Sequence, residues 1–153
     1  MSASITRDPI DSAALLGSVP GASDGAVLLF LGVVRDHNQG RAVEALEYQA
    51  YEPMAAAELE RIVAEARERW DVGGISAVHR VGALDIGEAS VAIAVASPHR
   101  EEAYAASRFV IEELKRRLPV WKREGYVDGD RAWVPGHDPA AVVEAPGPGA
   151  GDG

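Results

Sequence analysis

The amino-acid sequence predicts an α+β fold, in which a largely antiparallel sheet carries two main helices. Two long segments, residues 53–70 and 98–115, repeat apolar side chains at helical spacing. Five shorter segments alternate or run apolar in the manner of strands. Their order is strand, strand, helix, strand, strand, helix, strand. Because consecutive strands are joined by short loops, hairpins outnumber crossovers and most pairs should be antiparallel.

The first half of the chain is expected to contain a short helix and two paired strands. Asp11 is a suitable N-cap for the helix, within an otherwise weakly patterned lead-in. The continuous branched run Ala26–Val34 predicts a buried central strand. Residues 42–51 alternate in polarity and are predicted to form a hairpin with that strand. Asn38 and Gly40, in the turn between them, can take positive φ.

The second half is expected to contain two long helices and three strands. Pro53 fits a first helical turn, where its missing N–H has no partner. Ser97 and Pro98 are a suitable N-cap and first residue for the second helix, which should run to about Lys115. Pro119 disfavours helical backbone at the residue before it. The strands are predicted at residues 75–81, 90–96 and 132–134.

Composition limits the classes of function. The 153-residue chain has a net charge of -9 and a pI near 4.9, which argues against nucleic-acid binding, because that requires broad phosphate neutralisation. It has no apolar run long enough to span a membrane and no signal-peptide pattern, so neither membrane insertion nor export is expected. The absence of cysteine is consistent with the cytoplasm.

The same composition predicts one domain without bound metal or cofactor. The four histidines have no ligand spacing, and no thiolate is available. Residues 1–136 are expected to form a single domain. Residues 137–153, rich in proline and glycine, are expected to form a flexible tail.

A basic block near the C-terminal end of the second helix is the main candidate for chemistry. It contains five of the fifteen Lys and Arg residues: Lys115, Arg116, Arg117, Lys122 and Arg123. In an acidic protein, such a segment indicates a specific anion. Crowded cations lower a lysine pKa, which could make a nucleophile or a proton donor. The alternative is that these cations only complement the helix dipole.

Two further segments could bind an anion. His99 and Arg100 lie at the predicted start of the second helix, where free N–H groups and the helix dipole favour negative charge. Arg35 follows a predicted strand and begins a polar loop, a common position for a functional residue. The alternative for His99 and Arg100 is that they are solvent-facing residues of a first helical turn. The alternative for Arg35 is that it belongs to an ordinary surface turn.

Several segments together resemble the large, catalytic subunit of molybdopterin synthase. They are Gly25–Gly40, Leu46–Met54, Arg69–Trp70, Val78–Gly82, Ser97–Arg100, Leu114–Lys115, Pro119–Glu124 and Trp133–Val134. The resemblance implies an α/β-hammerhead-type fold and a sulfurtransferase that converts cyclic pyranopterin monophosphate to molybdopterin by inserting two sulfurs. It also implies two partners. One is a small ubiquitin-like subunit that delivers sulfur as a C-terminal Gly-Gly thiocarboxylate, and the other is a second large subunit, within a heterotetramer.

The resemblance implies the site residues as well. The substrate-binding set is Val33, Val34, Arg35, His99, Arg100, Lys115, Lys122, Arg123 and Glu124. Lys115 and Lys122 match the catalytic lysines. We assign Lys115 as the leading general acid/base or covalent group and Lys122 as its partner in stabilising anionic intermediates. Arg116 and Arg117 are expected to contribute only to the local electrostatic field and to solubility. A non-catalytic α+β module that binds an anionic small metabolite is the alternative function.

Overall fold

A computed structural model describes residues 2–135, in which three helices pack with the strands of two sheets. The helices are α1 (Ser12–Ser18), α2 (Glu52–Arg69) and α3 (Arg100–Arg117). The strands are β1 (Ser2–Thr6), β2 (Ala26–Val33), β3 (His37–Asn38), β4 (Arg41–Ala50), β5 (Gly74–Arg80), β6 (Gly82–Asp85), β7 (Ala89–Ser97), β8 (Val120–Tyr126) and β9 (Arg131–Pro135). Within these residues, no helix is long and apolar enough to cross a membrane. The predicted tail, residues 137–153, lies outside the described residues.

The first sheet carries the main hydrophobic core. Its strand order is β1-β5-β7-β2, with β1 parallel to β5 and the other pairs antiparallel. Helices α2 and α3 cover one face and form the core with it. The short α1 covers the opposite face, where Leu15 packs near Val19, Ala94 and Ala96. Both faces can be covered because successive residues of a strand point to opposite sides.

The second sheet places Lys122 of the basic block and the nearby Glu124 on the same face. Its order is β3-β4-β8-β9, and β6 also pairs with β4, all antiparallel. In the β4–β8 register, Leu46 pairs with Glu124 and Tyr48 with Lys122. Since side chains alternate along a strand, Lys122 and Glu124 share one face and Arg123 points to the other.

The fold class and the strongly periodic elements are confirmed. Three helices packed with mostly antiparallel strands constitute the predicted α+β architecture. In α1, Asp11 Oδ1 accepts a hydrogen bond of 3.0 Å from Ala14 N, as expected of an N-cap. The predicted apolar stripes of the two long helices are buried: Leu59, Ile62, Val63 and Ala66 on α2, and Ala103, Ala106, Val110 and Leu114 on α3.

The predicted central strand is instead an edge strand, which is a correction. Among the described strands, β2 pairs only with β7, and Val27, Leu31 and Val33 are 43%, 38% and 51% exposed. A continuous apolar run indicates that both faces of a strand are covered, but it does not show whether the same chain or a partner molecule covers them. The predicted hairpin with residues 42–51 is also wrong, because β4 belongs to the second sheet.

The turn before β4 differs in one residue from the prediction. The two-residue strand β3 folds back on β4, and the residues with positive φ are Gln39 (50°) and Gly40 (81°). Asn38 therefore lies in the strand and not in the left-handed region. This position leaves its side-chain amide free to contact β8, as described below.

The predicted start of the second helix is wrong by two residues. Ser97 remains in β7, paired with Ala26, and its hydroxyl donates to the His99 carbonyl. The N-cap of α3 is therefore His99, whose side chain makes no capping hydrogen bond. The sheet pairing of Ser97 overrides its local preference for a helix N-cap.

Four strands are absent from the sequence prediction. Strand β3 lies in the predicted turn before β4, strands β1 and β6 are short and weakly patterned, and β8 directly follows Pro119. Pro119 does end α3, with Leu118 as the extended C-cap residue. The chain then continues directly as a strand, and this turns Lys122 back toward the end of the helix that carries Lys115.

Arg117 joins the two long helices, which corrects its expected role in field and solubility alone. Its guanidinium donates to both carboxylate oxygens of Glu65, at 3.1 and 2.8 Å, and to Glu58 Oε1 at 2.7 Å. It also donates to Glu113 at 3.3 Å. These carboxylates raise the pKa of Arg117. A planar guanidinium bound this way fixes α3 against α2.

Replacing Arg117 with methionine is therefore expected to lower the free energy of unfolding by about 2 kcal/mol, because three acidic groups lose their shared cation. The loss should be smaller than for a fully buried pair, since the Arg117 side chain is 22% exposed. Urea denaturation provides the measurement. Arg116→Met is the matched control, because Arg116 is exposed and, among residues 2–135, pairs only with Glu113 of its own helix. Equal losses in the two variants would contradict the proposed joining role.

Candidate active site

A recess of about 160 Å³ lies beside the C-terminal end of α3, and we call it the lysine pocket. It is lined by Gly32, Val33, Val34, Arg35, His37, Asn38, Val43, Leu46, Tyr48, Ser90, Lys115, Lys122 and Glu124. Six of the nine predicted site residues are among these: Val33, Val34, Arg35, Lys115, Lys122 and Glu124. The structure does not bring the other three, His99, Arg100 and Arg123, to this recess.

The two lysines reach the pocket from different kinds of element. Lys115 lies in the last turn of α3, and Lys122 lies on β8 after the break at Pro119. The two lysines therefore reach one recess from a helix and from a strand. Arg35 lies two residues beyond the end of β2 and adds a third cation to the pocket.

Lys115 has the electrostatic character expected of a reactive amine. Burial lowers its pKa, and the positive charge of Lys122 lowers it further. Both effects disfavour the ammonium form, so a larger fraction of Lys115 is neutral near physiological pH than for an exposed lysine. A neutral amine can accept a proton or attack a carbonyl, whereas an ammonium can do neither.

Lys122 is paired with a buried carboxylate. Its Nζ lies 3.6 Å from Glu124 Oε1, and the Glu124 side chain is 1% exposed. The same oxygen accepts a hydrogen bond of 2.7 Å from Asn38 Nδ2. The pocket thus combines an amine of lowered pKa, an ammonium and a carboxylate within one small recess.

Behind the lysines, His79 is buried and neutral. Its side chain lies against Tyr48, with ring centroids 5.2 Å apart. Its Nδ1 is 2.9 Å from the Arg80 carbonyl oxygen, and because a carbonyl only accepts, Nδ1 carries the hydrogen. Burial lowers the pKa of His79 to about 4, and Lys115 contributes to the lowering. The wall behind the lysines therefore adds no further positive charge at neutral pH.

This burial makes stability depend on pH. The unfolded chain binds a proton at His79 near pH 6.5, whereas the folded chain does so only near pH 4. The stabilisation is therefore present at neutral pH and is lost as the pH falls through this window, by about 3 kcal/mol. Urea denaturation at pH 7 and at pH 4.5 should show a smaller pH dependence for His79→Gln than for the unsubstituted protein. His37→Gln, at an exposed position, is the control; if both variants matched the unsubstituted protein, the account of His79 would be wrong.

Sequence reasoning missed several pocket residues. His37, Asn38, Tyr48 and Ser90 all line the recess. The position of Asn38 in a polar loop directly after Arg35 was the available signal. Tyr48 lies on the inner face of the alternating segment 42–51, but alternation alone does not show that this face borders the lysines.

The family model of the MoaE protein matches residues 5–117. The chain belongs to the MoaE family. A molybdopterin synthase catalytic subunit from Bacillus subtilis is 44% identical, over 85% of this chain and 82% of the relative. The crystal structure of molybdopterin synthase from Staphylococcus aureus has a TM-score of 0.81 and 40% identity, covering 86% of this chain and 96% of that one.

A second solved structure shows how far the fold extends. It is a chain from the complex of subunits 1 and 2 of molybdopterin-converting factor from Helicobacter pylori, with a TM-score of 0.70 at 22% identity. The match covers 85% of this chain and 88% of that one and shows a shared fold. Membership in the MoaE family confirms the resemblance inferred from the ordered motifs, and it makes the chain a member of an enzyme family of molybdopterin synthase catalytic subunits.

In this MoaE-family chain, His99 and Arg100 lie at the wrong end of α3 to join the lysine pocket. Helical rise places Arg100 about 22 Å from Lys115 along the axis. The sheet shows the same separation, because Ala26 pairs with Ser97 whereas Val33 pairs with Ala89. Within one chain, Arg35 therefore does not lie together with His99 and Arg100.

Arg123 is also directed away from the pocket. Strand alternation places its side chain on the opposite face of β8 from Lys122, where it donates to Glu47 at 2.6 Å and lies 5.5 Å from the Trp133 ring. It lines a separate groove of about 330 Å³ together with Glu47, Ala83 and Gly125. Within one chain, the Arg123 side chain therefore does not line the lysine pocket, because adjacent strand residues face opposite sides, and its contact with substrate stays a prediction.

Proposed function

We propose that this chain transfers sulfur to cyclic pyranopterin monophosphate, forming the dithiolene of molybdopterin, and that the lysine pocket is where this reaction takes place. The observation that carries the proposal is the pair Lys115 and Lys122, which line one recess and of which Lys115 has a lowered pKa. Family membership supplies the reaction class. We propose the cytoplasm as its compartment.

In this proposal, Lys115 acts on the substrate as a neutral amine. It serves as general acid/base or as a covalent group at the carbon that receives sulfur. Lys122 remains an ammonium beside Glu124 and stabilises anionic intermediates. Arg35 binds substrate phosphate at the rim of the pocket, and Val33 and Val34 form part of its wall.

We propose that a second copy of the chain contributes His99 and Arg100. Within one chain, the edge strand β2 begins near His99 and ends near Arg35. If two copies pair β2 antiparallel about a two-fold axis, the Arg100 end of one copy lies beside the Arg35 end of the other. The exposed Val27, Leu31 and Val33 would then be buried, which explains an apolar sequence at a sheet edge.

The sulfur donor in this proposal is a small ubiquitin-like subunit whose C-terminal Gly-Gly carries a thiocarboxylate. The chain has no cysteine of its own, so sulfur must arrive on another molecule. The Helicobacter pylori protein of the same fold is found in a two-subunit complex. We propose that two donor subunits and two copies of this chain form a heterotetramer.

Reconstitution separates catalysis from the alternative of a non-catalytic, metabolite-binding module. The protein is mixed with the pterin phosphate and a thiocarboxylated donor, binding is followed by calorimetry, and the pterin mass is then measured. We expect dithiolene formation with the unsubstituted chain and none with a Lys115→Ala/Lys122→Ala double variant. Tight pterin binding without any sulfur transfer by the unsubstituted chain would support the binding module and overturn the proposal.

A further inference from the structure

The proposed function, on which this inference rests, requires a hydrolytic step as well as sulfur addition. When the donor's thiocarboxylate sulfur bonds to a pterin carbon and displaces the oxygen substituent of that carbon, the donor remains attached through an acyl–sulfur bond. Water must attack the acyl carbon, forming an acyl C–O bond while the acyl C–S bond breaks. The pterin sulfur leaves as a thiolate and the donor ends as an ordinary carboxylic acid. The attacking water gives up a proton, so the site needs a general base.

Glu124 is placed to be that base. It lines the lysine pocket, and its side chain is 1% exposed. Oε1 is occupied by the Asn38 amide and by the neighbouring Lys122 ammonium. Oε2 is buried and makes no hydrogen bond of normal geometry with the residues that the structure describes. Buried carboxylate oxygens are normally hydrogen-bonded, so an oxygen left open in a polar recess indicates a bound reactant or water.

The neighbouring polar groups fit this role. Tyr126 lies two residues further along the same face of β8, and its hydroxyl is close enough to the Glu124 carboxylate to interact with it by hydrogen bonding. This interaction raises the pKa of Tyr126, so the phenol stays protonated, can only donate to the carboxylate and does not compete as a base. Lys122, as an ammonium, can donate but cannot accept a proton. It can instead stabilise the departing thiolate. A recess of about 160 Å³ also has room for a water beside the reacting end of the substrate, since one water takes about 30 Å³ in the liquid.

We propose that Glu124 is the general base that activates water to cleave the acyl–sulfur bond between donor and pterin. Its Oε2 accepts the proton from water and later releases it to solvent, so the carboxylate is regenerated for the second sulfur. Asn38 is a positioning residue, because it holds Oε1 and thereby orients Oε2. The role is distinct from substrate binding: loss of the base should stop the reaction after the C–S bond has formed.

Glu124→Gln tests this directly, because glutamine keeps the size and the acceptor oxygen for Asn38 but cannot take the proton. Acid-quenched mixtures of donor, pterin and variant are analysed by intact-protein mass spectrometry. We expect a covalent donor–pterin adduct to accumulate and its hydrolysis to slow by about 10²-fold or more. Added hydroxylamine, a nucleophile that needs no base, should release the donor as a hydroxamate.

The outcomes separate the two proposals. If the unsubstituted chain forms no dithiolene, the proposed function fails, whatever the variant does. If it does form dithiolene while Glu124→Gln accumulates no adduct, whether the variant is fully active or fully inactive, the role of Glu124 as this base is overturned. Should Glu124→Gln fail to fold, Asn38→Ala provides the test, because it keeps the Glu124 carboxylate but removes the hydrogen bond that orients it. The adduct should then outlast that of the unsubstituted chain, and an unchanged lifetime would overturn the proposal.

Discussion

Replacing Lys115 with alanine is expected to lower the single-turnover rate of sulfur transfer by about 10²- to 10⁴-fold, the range typical of losing a general acid/base. The reason is that Lys115 combines a place in the pocket with a pKa lowered by burial and by Lys122. Stability should not fall in parallel, because the substitution removes an amine whose charged form is disfavoured by its surroundings. Rapid-quench measurement of thiocarboxylate consumption gives the rate, and thermal unfolding gives the stability.

Two further variants show which property of Lys115 matters. Lys115→Arg keeps a positive charge that cannot be removed near neutral pH, so it should remain as slow as alanine if the neutral amine is required. Arg116→Ala, one residue further and exposed, should retain the full rate. The rate of the unsubstituted chain should rise with pH through a midpoint below the usual lysine value of 10.5. Full activity of Lys115→Arg would show that only charge is needed and would contradict the assigned role.

Mixing two inactive variants is expected to restore activity if His99 and Arg100 act from a second copy. In a dimer of Lys115→Ala with Arg100→Ala, one site has both mutations and the other has an intact Lys115 beside an intact Arg100 from its partner. Random pairing of the two chains should therefore recover about a quarter of the original activity. Co-expression with two different tags, followed by activity measurement, provides the test.

The matched control is a mixture of the Lys115→Ala chain with the Lys122→Ala chain. Both lysines line the same pocket of one chain, so every site in every dimer lacks one of them and no recovery is expected. Recovery in the first mixture and not in the second would locate Arg100 and Lys115 in different copies of one site. If neither mixture recovered, or if Arg100→Ala alone were fully active, the two-copy site would be wrong.

Local sequence patterns correctly predicted the helices and strands that bury a single apolar face. The stripes of α2 and α3 and the alternation of β4 each specify one buried face, and these are confirmed. The apolar run of β2 does not distinguish a central strand from an edge strand, because both bury apolar residues once a partner is present. Strand β8 was missed because its charged residues resemble a surface turn, although alternate ones face the pocket.

The site could be predicted only in part for a similar reason. The lysine pair was visible from spacing and from the resemblance, since Lys115 and Lys122 lie close in sequence. The contact between Asn38 and Glu124 joins positions 86 residues apart, and nothing local marks it. Nor does sequence show that Arg123 points away from Lys122, because that depends on β8 being a strand. Long-range pairing determines these features, and a single sequence does not reveal it.

Isotopic sulfur followed from the donor to the pterin tests the proposed sulfur transfer directly. A donor subunit with a thiocarboxylate labelled with ³⁴S is incubated with this chain and unlabelled cyclic pyranopterin monophosphate, and the product is analysed by mass spectrometry. The account predicts that each product pterin carries two heavy sulfurs and that two donors are converted to carboxylates for each pterin. A pterin that binds to the chain but is recovered without heavy sulfur, while intact thiocarboxylate remains, would contradict it.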